Sequence, residues 1–143
     1  MFNFVIKNIG SISYNPQNRL FIITNETPKF DLETANKIIE IYNEFVGQNP
    51  TIVIFNNITP CSFVFNLNTF LKSFFDKYNI LAFIVVNDRA LSKAAVNVLA
   101  LFNLTKKIKF KSAKQLEDAV TWGEKQVKLF EQKLCKDNVK SKN

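Results

Sequence analysis

The chain has 143 residues, 47% of them hydrophobic, with fifteen phenylalanines but only three glycines and four prolines. That is the size of one ordinary domain, with apolar mass for a core without disulfide staples and too little glycine and proline for long disordered stretches. The formal net charge is +7 and histidine is absent, which removes the commonest general base and metal ligand near neutral pH and excludes any Ser-His or Cys-His nucleophile pair.

In chain order, Phe2 to Ile6 is a short apolar run and Ser11-Ile12-Ser13-Tyr14 alternates. Asn15-Pro16-Gln17-Asn18 supplies turn chemistry before the β-branched run Arg19 to Thr24, so the chain opens on an antiparallel hairpin. Asp31 is placed to cap a helix with the stripe Leu32, Ala35, Ile38, Ile39, Tyr42 and Phe45, ending near Gly47. Thr51 to Phe55 and Ile80 to Val86 are continuous apolar runs, the pattern of central strands covered on both faces. Between them a second helical stripe begins at Phe63 and runs through Leu67, Phe70, Leu71, Phe74, Phe75 and Tyr78. A third, capped by Asn87 or Asp88, carries Leu91, Ala94, Ala95, Val98, Leu99 and Phe102. Ile108 and Phe110 alternate with Lys109 and Lys111 as in an edge strand with one wet face. The last helix carries Ala113, Leu116, Ala119, Val120, Gly123, Val127 and Phe130, with Ser112 and Gln115 at capping-box spacing. Strands alternating with helices predict an α/β fold with a mostly parallel sheet and right-handed crossovers.

Charge is uneven. From Thr105 onward there are eleven lysines and five acids, whereas the rest of the chain has eight basic and seven acidic residues. The basic end reads as a solvated helix face and a disordered tail, residues 136–143, appended to a single domain spanning 1–135. Arginine occurs only at Arg19 and Arg89 and no aromatics interleave with the basic run, so no specific nucleic-acid binding is expected.

Cys61 and Cys135 stand in neither a CxxC nor a metal-ligand spacing and read as free thiols of a reducing compartment. Met1 to Gly10 holds one lysine and no apolar run of signal length. The run Ile80 to Val86 falls far short of the ~20 residues that span a bilayer, so a cytoplasmic protein is expected. No GxGxxG or P-loop is present, and the acids form no tight group for a metal or a paired-carboxylate mechanism. The inventory points to a binding module rather than an enzyme, with no cofactor and no metal.

The candidate partner-binding patch is the loop and helix start after the first central strand: Asn57, Thr59, Cys61, Ser62, Phe63, Phe65 and Asn66. Cys61, after Pro60, is a small filler or a reactive thiol near the strand's carboxyl end. Ser62 is a helix N-cap or a phosphorylation site, with Thr59 as second candidate. Successive helical residues point about a hundred degrees apart, so one helix face cannot bury Phe63, Val64 and Phe65 together. Either the segment is loop folded over the sheet end, or it presents a hydrophobic contact patch. Binding of a lipid or other apolar small molecule, in a cavity left by the alanine-rich third helix, is the alternative function. The exposed edge strand and surplus apolar surface also favour a homodimer.

The stretch Asn87 to Trp122 resembles the SpoIIAA-like branch of the STAS-domain superfamily, in which an edge strand ending in an aromatic is followed by a Ser or Thr cap and then an acid, Ala and Trp in the last helix. The matching positions are Phe110, Ser112, Glu117, Ala119 and Trp122, and the order of elements matches over roughly residues 2–130. The resemblance implies a STAS-like mixed sheet of four to five strands with about four helices, mainly on one side, a fold shared with lipid-binding CRAL-TRIO domains. It further implies a bacterial regulatory protein similar to anti-sigma-factor antagonists, which carry an acid after the third strand and a phosphorylatable serine at the next helix start. Here the strand ends in Asn56-Asn57, and Ser62 is the nearest matching hydroxyl.

Overall fold

A computed structural model describes residues 1–102 and 106–142, with side chains placed up to residue 138. Its elements are β1 (Phe2–Ile6), β2 (Gly10–Asn15), β3 (Leu20–Asn25), β4 (Lys29–Phe30), α1 (Leu32–Phe45), β5 (Thr51–Asn57), β6 (Ser62–Phe63), α2 (Leu67–Lys77), β7 (Ile80–Val86), α3 (Arg89–Leu99) with a 3-10 turn at Ala100–Phe102, β8 (Lys109–Ala113) and α4 (Leu116–Lys142). The fold is α/β, with one six-stranded mixed sheet rather than four or five strands. A separate two-stranded ribbon pairs β4 with β6.

The six strands lie in the order β1-β2-β3-β5-β7-β8, which is chain order throughout. The first two pairings are antiparallel, as the opening hairpin requires, and β3, β5, β7 and β8 are parallel. Each parallel strand is added on the same side of the one before. Right-handed crossovers that always step in one direction must all pass over the same face. Accordingly α1, α2 and α3 share one face, burying Ile38, Tyr42, Leu71, Phe75, Ala95 and Val98 against Phe21, Val53, Phe55, Phe83 and Val85. The opposite face would be open, and α4 covers it: Ala119 and Val127 pack on Leu20, Ile52, Ile54, Ala82 and Ile84. Helices therefore lie three on one face and one on the other.

Strand alternation divides the two cores: Val53 and Phe55 of β5 enter the first, Ile52 and Ile54 the second. Every residue of β5 is buried, as its unbroken apolar run implied. Gly123 lets α4 approach closely, since a Cβ there would lie 3.2 Å from Leu20 Cδ2 and 3.5 Å from Ile84 Cδ1.

The helix boundaries follow local chemistry. Asp31 Oδ1 accepts the Thr34 N–H at 2.8 Å and starts α1. Gly47, at φ +59°, ends it by donating its N–H to Tyr42 O at 3.0 Å. Asp88, rather than Asn87, caps α3 through the Leu91 N–H at 2.9 Å. The second helix starts later than expected, because Asn66 accepts the Thr69 N–H at 3.0 Å and Phe63 lies outside it. The last helix also starts later: Ser112 and Ala113 belong to β8. It then runs on through residues 136–142, where a disordered tail was expected; neither proline nor glycine follows Gly123, and lysine is a good helix former. Asn143 lies outside the described residues.

Candidate functional site

Parallel strands point their carboxyl ends the same way, and in this chain those ends are amide-rich: Asn25 closes β3, Asn56-Asn57 closes β5 and Asn87-Asp88 follows β7. Asn25, Asn57 and Asp88 are buried polar residues, so each needs partners. Asn25 Nδ2 donates to Asn57 Oδ1 at 3.0 Å, and Asn57 Nδ2 donates to Asp88 Oδ2 at 3.3 Å. Asn25 also closes its own turn, donating to Thr27 O at 3.0 Å and accepting the Thr27 N–H at 3.3 Å. Ile58 N–H donates to Asn25 O at 3.0 Å. The chain of amides thus ties the ends of β3 and β5 to the cap of α3, which follows β7.

Above this network lies the segment that the sequence marked. Ser62 is not a helix cap; it sits on β6, opposite Lys29, while Phe63 stands opposite Phe30. Ser62 N–H donates to Pro28 O at 2.9 Å and Val64 N–H to Phe30 O at 3.0 Å. From Ser62 to Phe65 exposure alternates out, in, out, in, the period of a strand rather than of a helix. Of the two readings of Phe63-Val64-Phe65, the loop folded over the sheet end is therefore the one observed. Phe30, Phe55 and Phe63 form a ring triad with centroids 5.5, 5.8 and 6.0 Å apart. Phe65 joins it at 6.1 Å from Phe63 and 5.5 Å from Phe70. The two phenylalanines of the expected patch are thus a lid on the core. The segment's exposed apolar side chains are Ile58 (59%) and Val64 (48%), with Leu32 (48%) at the neighbouring start of α1. Thr59 is half-buried; Ser62 and Asn66 are exposed.

The chemistry open to this end is limited. Asp88 uses one oxygen for the α3 cap and the other for Asn57. Burial raises its pKa above the ordinary carboxylate value, against backbone hydrogen bonds from Leu91 and Ala90. Cys61 is half-buried, and burial followed by the Asp88 charge raises its thiol pKa, opposite to what an activated nucleophile needs. Among the described residues no group of three His, Cys, Asp or Glu is placed to hold a metal. The winding has no reversal of strand order, so it lacks the switch-point crevice where open α/β sheets hold their ligands.

Beneath the lid an apolar cavity of about 50 Å³ lies between α1, α2 and the sheet, lined by Phe30, Ile38, Phe55, Phe65, Phe70 and Phe74 among others. Its wall takes only Leu91 from α3, so the alanines expected to leave room, Ala94 and Ala95, do not line it.

Asn25 and Asp88 escaped the sequence reading as site residues, although the recurrence of Asn or Asp at the end of three successive parallel strands was a visible signal. Searches against protein-family models, curated proteins and solved structures return no match for this chain. No described helix is long and apolar enough to cross a membrane.

Proposed function

We propose that the chain is a non-enzymatic regulatory module that binds a protein partner through the carboxyl-end face of its sheet. The observation that carries this reading is the exposure of Leu32, Ile58 and Val64 just beyond β4, β5 and β6, with the Ile58 N–H bonded to Asn25 O and the Val64 N–H to Phe30 O. Exposed aliphatics grouped beside polar groups are what a protein interface uses. Here they stand on a rigid base, the amide network and the ring triad, and exposed Ser62 and Asn66 border them. The absence of histidine and the raised thiol pKa of Cys61 support a binding role over catalysis. A phosphate on Ser62 would stand opposite Lys29 across the ribbon, so a charge switch of the kind found in anti-sigma-factor antagonists fits this position better than half-buried Thr59.

The alternative, a lipid or similar apolar ligand, has the phenylalanine-lined cavity in its favour. At about 50 Å³ that cavity is several-fold smaller than the roughly 300 Å³ at which small-molecule pockets begin. The reading that needs no opening of the core is preferred, and reading the basic α4 as a solvated face again leaves no specific nucleic-acid partner.

The test is quantitative affinity capture from the source cells with wild type, Ile58→Glu and Val64→Glu as baits. The proposal expects one or more proteins to be recovered by wild type and lost with both variants while the variants melt as wild type does. Equal recovery by all three baits would exclude this face.

A further inference from the structure

We infer that the free edge of β1 is a self-association surface, on which a second copy of this chain adds its own β1 antiparallel about a two-fold axis.

Among the described residues the sheet has two free edges, β1 and β8, and they are built differently. The β8 edge carries Lys109 and Lys111, with Lys106, Lys107 and Lys114 beside it. Lysines on an edge strand deter pairing, and in a chain of net charge +7 they repel a second copy directly. The β1 edge has none of these defences. Phe2-Asn3-Phe4-Val5-Ile6 contains no charge and no proline, and pairs with β2 in unbroken register. The nearest side-chain charge, Lys7, lies beyond the end of the strand. Two strongly cationic molecules can meet edge to edge only where charge is missing, which selects β1 over β8.

The strand is also self-complementary. Antiparallel pairing about Phe4 sets Phe4 against Phe4 of the second copy, Phe2 against Ile6 and Asn3 against Val5. Phe2, Phe4 and Ile6 share the α1 side, where Phe2 and Phe4 rest on Phe45 with ring centroids 5.1 and 4.7 Å away. Phe2 is still 42% exposed there, and a paired copy would extend this aromatic row across the two-fold axis. On the other face Val5 is 88% exposed, lying outside the strands that α4 covers. Pairing therefore satisfies a row of unpaired backbone groups and covers apolar side chains on both faces, with no like charges opposed within the strand. The result is one continuous twelve-stranded sheet whose remaining edges are the two lysine-bearing β8 strands.

The test is light scattering of the full chain at tens of micromolar, where the proposal expects twice the 16.5 kDa chain mass. Asn3→Lys with Val5→Lys opposes two pairs of lysines across the axis and should weaken the dimer by about tenfold or more. Asn3→Glu with Val5→Lys opposes unlike charges in the same register and should remain dimeric. Both sites are exposed, and circular dichroism checks that the variants fold. As a second measurement, Asn3→Cys and Val5→Cys, each in a background with Cys61→Ser and Cys135→Ser, should form a disulfide-linked dimer when mixed under oxidation but not when kept apart. A monomeric wild type overturns the inference. So does a dimer that survives the double lysine change, or cysteine variants that do not cross-link on mixing.

Discussion

Asn25 and Asn57, thirty-two residues apart, share a 3.0 Å hydrogen bond across the carboxyl ends of adjacent parallel strands, and neither amide meets bulk solvent. The bond is one link of a chain that runs on to Asp88 and the start of α3. Asn25 and Asn57 are strand residues and Asp88 is a helix cap, so the chain is anchored in the regular elements of a sheet buried on both faces. A loop-borne patch gains a fixed base in this way, since Ile58 leaves Asn57 directly and is held by Asn25 O.

Asn57→Ala should therefore be costly for its size. It leaves Asn25 Nδ2 without its side-chain acceptor and Asp88 Oδ2 without its donor, both buried, and the expected loss is about 1–3 kcal/mol in urea unfolding. Asn57→Asp should cost more at pH 7, because it sets a second carboxylate against Asp88, and part of that cost should be recovered at mildly acid pH as the pair takes up a proton. Equal stability of wild type and Asn57→Ala would mean that the network carries no energy.

The buried carboxylate also gives a signed pH dependence. Asp88 has a folded pKa above its unfolded value, with burial as the largest cause. The folded state then binds the proton more tightly, so this group's contribution to stability falls as pH rises from the unfolded value through the raised folded one. Exposed Asp31 runs the other way: its pKa is lowered, first by the Thr34 backbone hydrogen bond, and its contribution is lost as pH falls through its folded value. Asp88→Asn keeps a capping oxygen but sets its Nδ2, a donor, against the Asn57 Nδ2 donor, so it should abolish the falling component and cost about 1–3 kcal/mol through the broken link. Asp88→Ala removes the cap as well and should be about 1 kcal/mol less stable than Asp88→Asn, with the falling component equally absent.

The two thiols should separate in reactivity. Cys61 is half-buried with a raised pKa, caused first by burial and then by the Asp88 charge, whereas Cys135 is exposed on α4. Alkylation at pH 7.5 followed by peptide mapping should modify Cys135 first, with Cys61 lagging by about tenfold or more. Asp88→Asn should speed Cys61 modestly, since it removes the second cause and leaves the first. Faster labelling of Cys61 would contradict the electrostatics of this end.

What the sequence disclosed and what it hid follow from the range of the interactions. The caps at Asp31 and Asp88 are contacts between residues three apart, and the β5 and β7 runs announce burial by composition alone, so all were legible. Ser62 was misread because its fate depends on Lys29 and Phe30, more than thirty residues away, whose backbone pairs with β6. The alternation of Ser62-Phe63-Val64-Phe65 was present in the sequence, yet the helical spacing of the phenylalanines that follow outweighed it. The placing of α4 could not be read locally either: it follows from the constant direction in which the strands are added, a property of the whole sheet. Asn25 opens a turn through its bonds to Thr27, which is local; that it also reaches Asn57 depends on which strands are neighbours.

Gly123 tests the contact between α4 and the sheet. In a helix interior Gly→Ala ordinarily gains about 1 kcal/mol of helix propensity. Here the added methyl group meets Leu20 Cδ2 at 3.2 Å, the end of a side chain that can turn away. The two effects should nearly cancel, leaving Gly123→Ala within about 0.5 kcal/mol of wild type. Gly123→Leu has no such escape between Leu20, Ile52 and Ile84 and should lose about 1–3 kcal/mol by lifting the helix. A stabilised Gly123→Leu would show that α4 does not pack as described.

The last prediction separates the lid from the binding surface. Phe63 and Val64 are neighbours on the chain, yet Phe63 faces Phe30, Phe55 and Phe65 while Val64 is 48% exposed. Phe63→Ala removes one ring of the triad over the cavity and should cost about 2–3 kcal/mol, below the full penalty for a completely buried phenylalanine because Phe63 is half-buried. Val64→Ser leaves the core untouched and should change stability by no more than about 0.5 kcal/mol. Partner capture should show the reverse order, with Val64→Ser losing recovery at temperatures where both variants are folded and Phe63→Ala losing it only in proportion to its unfolded fraction. The two orders cannot both arise from destabilisation, so thermal melts and capture measured on the same preparations decide the assignment. Should Phe63→Ala melt as wild type does and lose capture at once, then Phe63 itself meets the partner and the aromatic lid opens on binding.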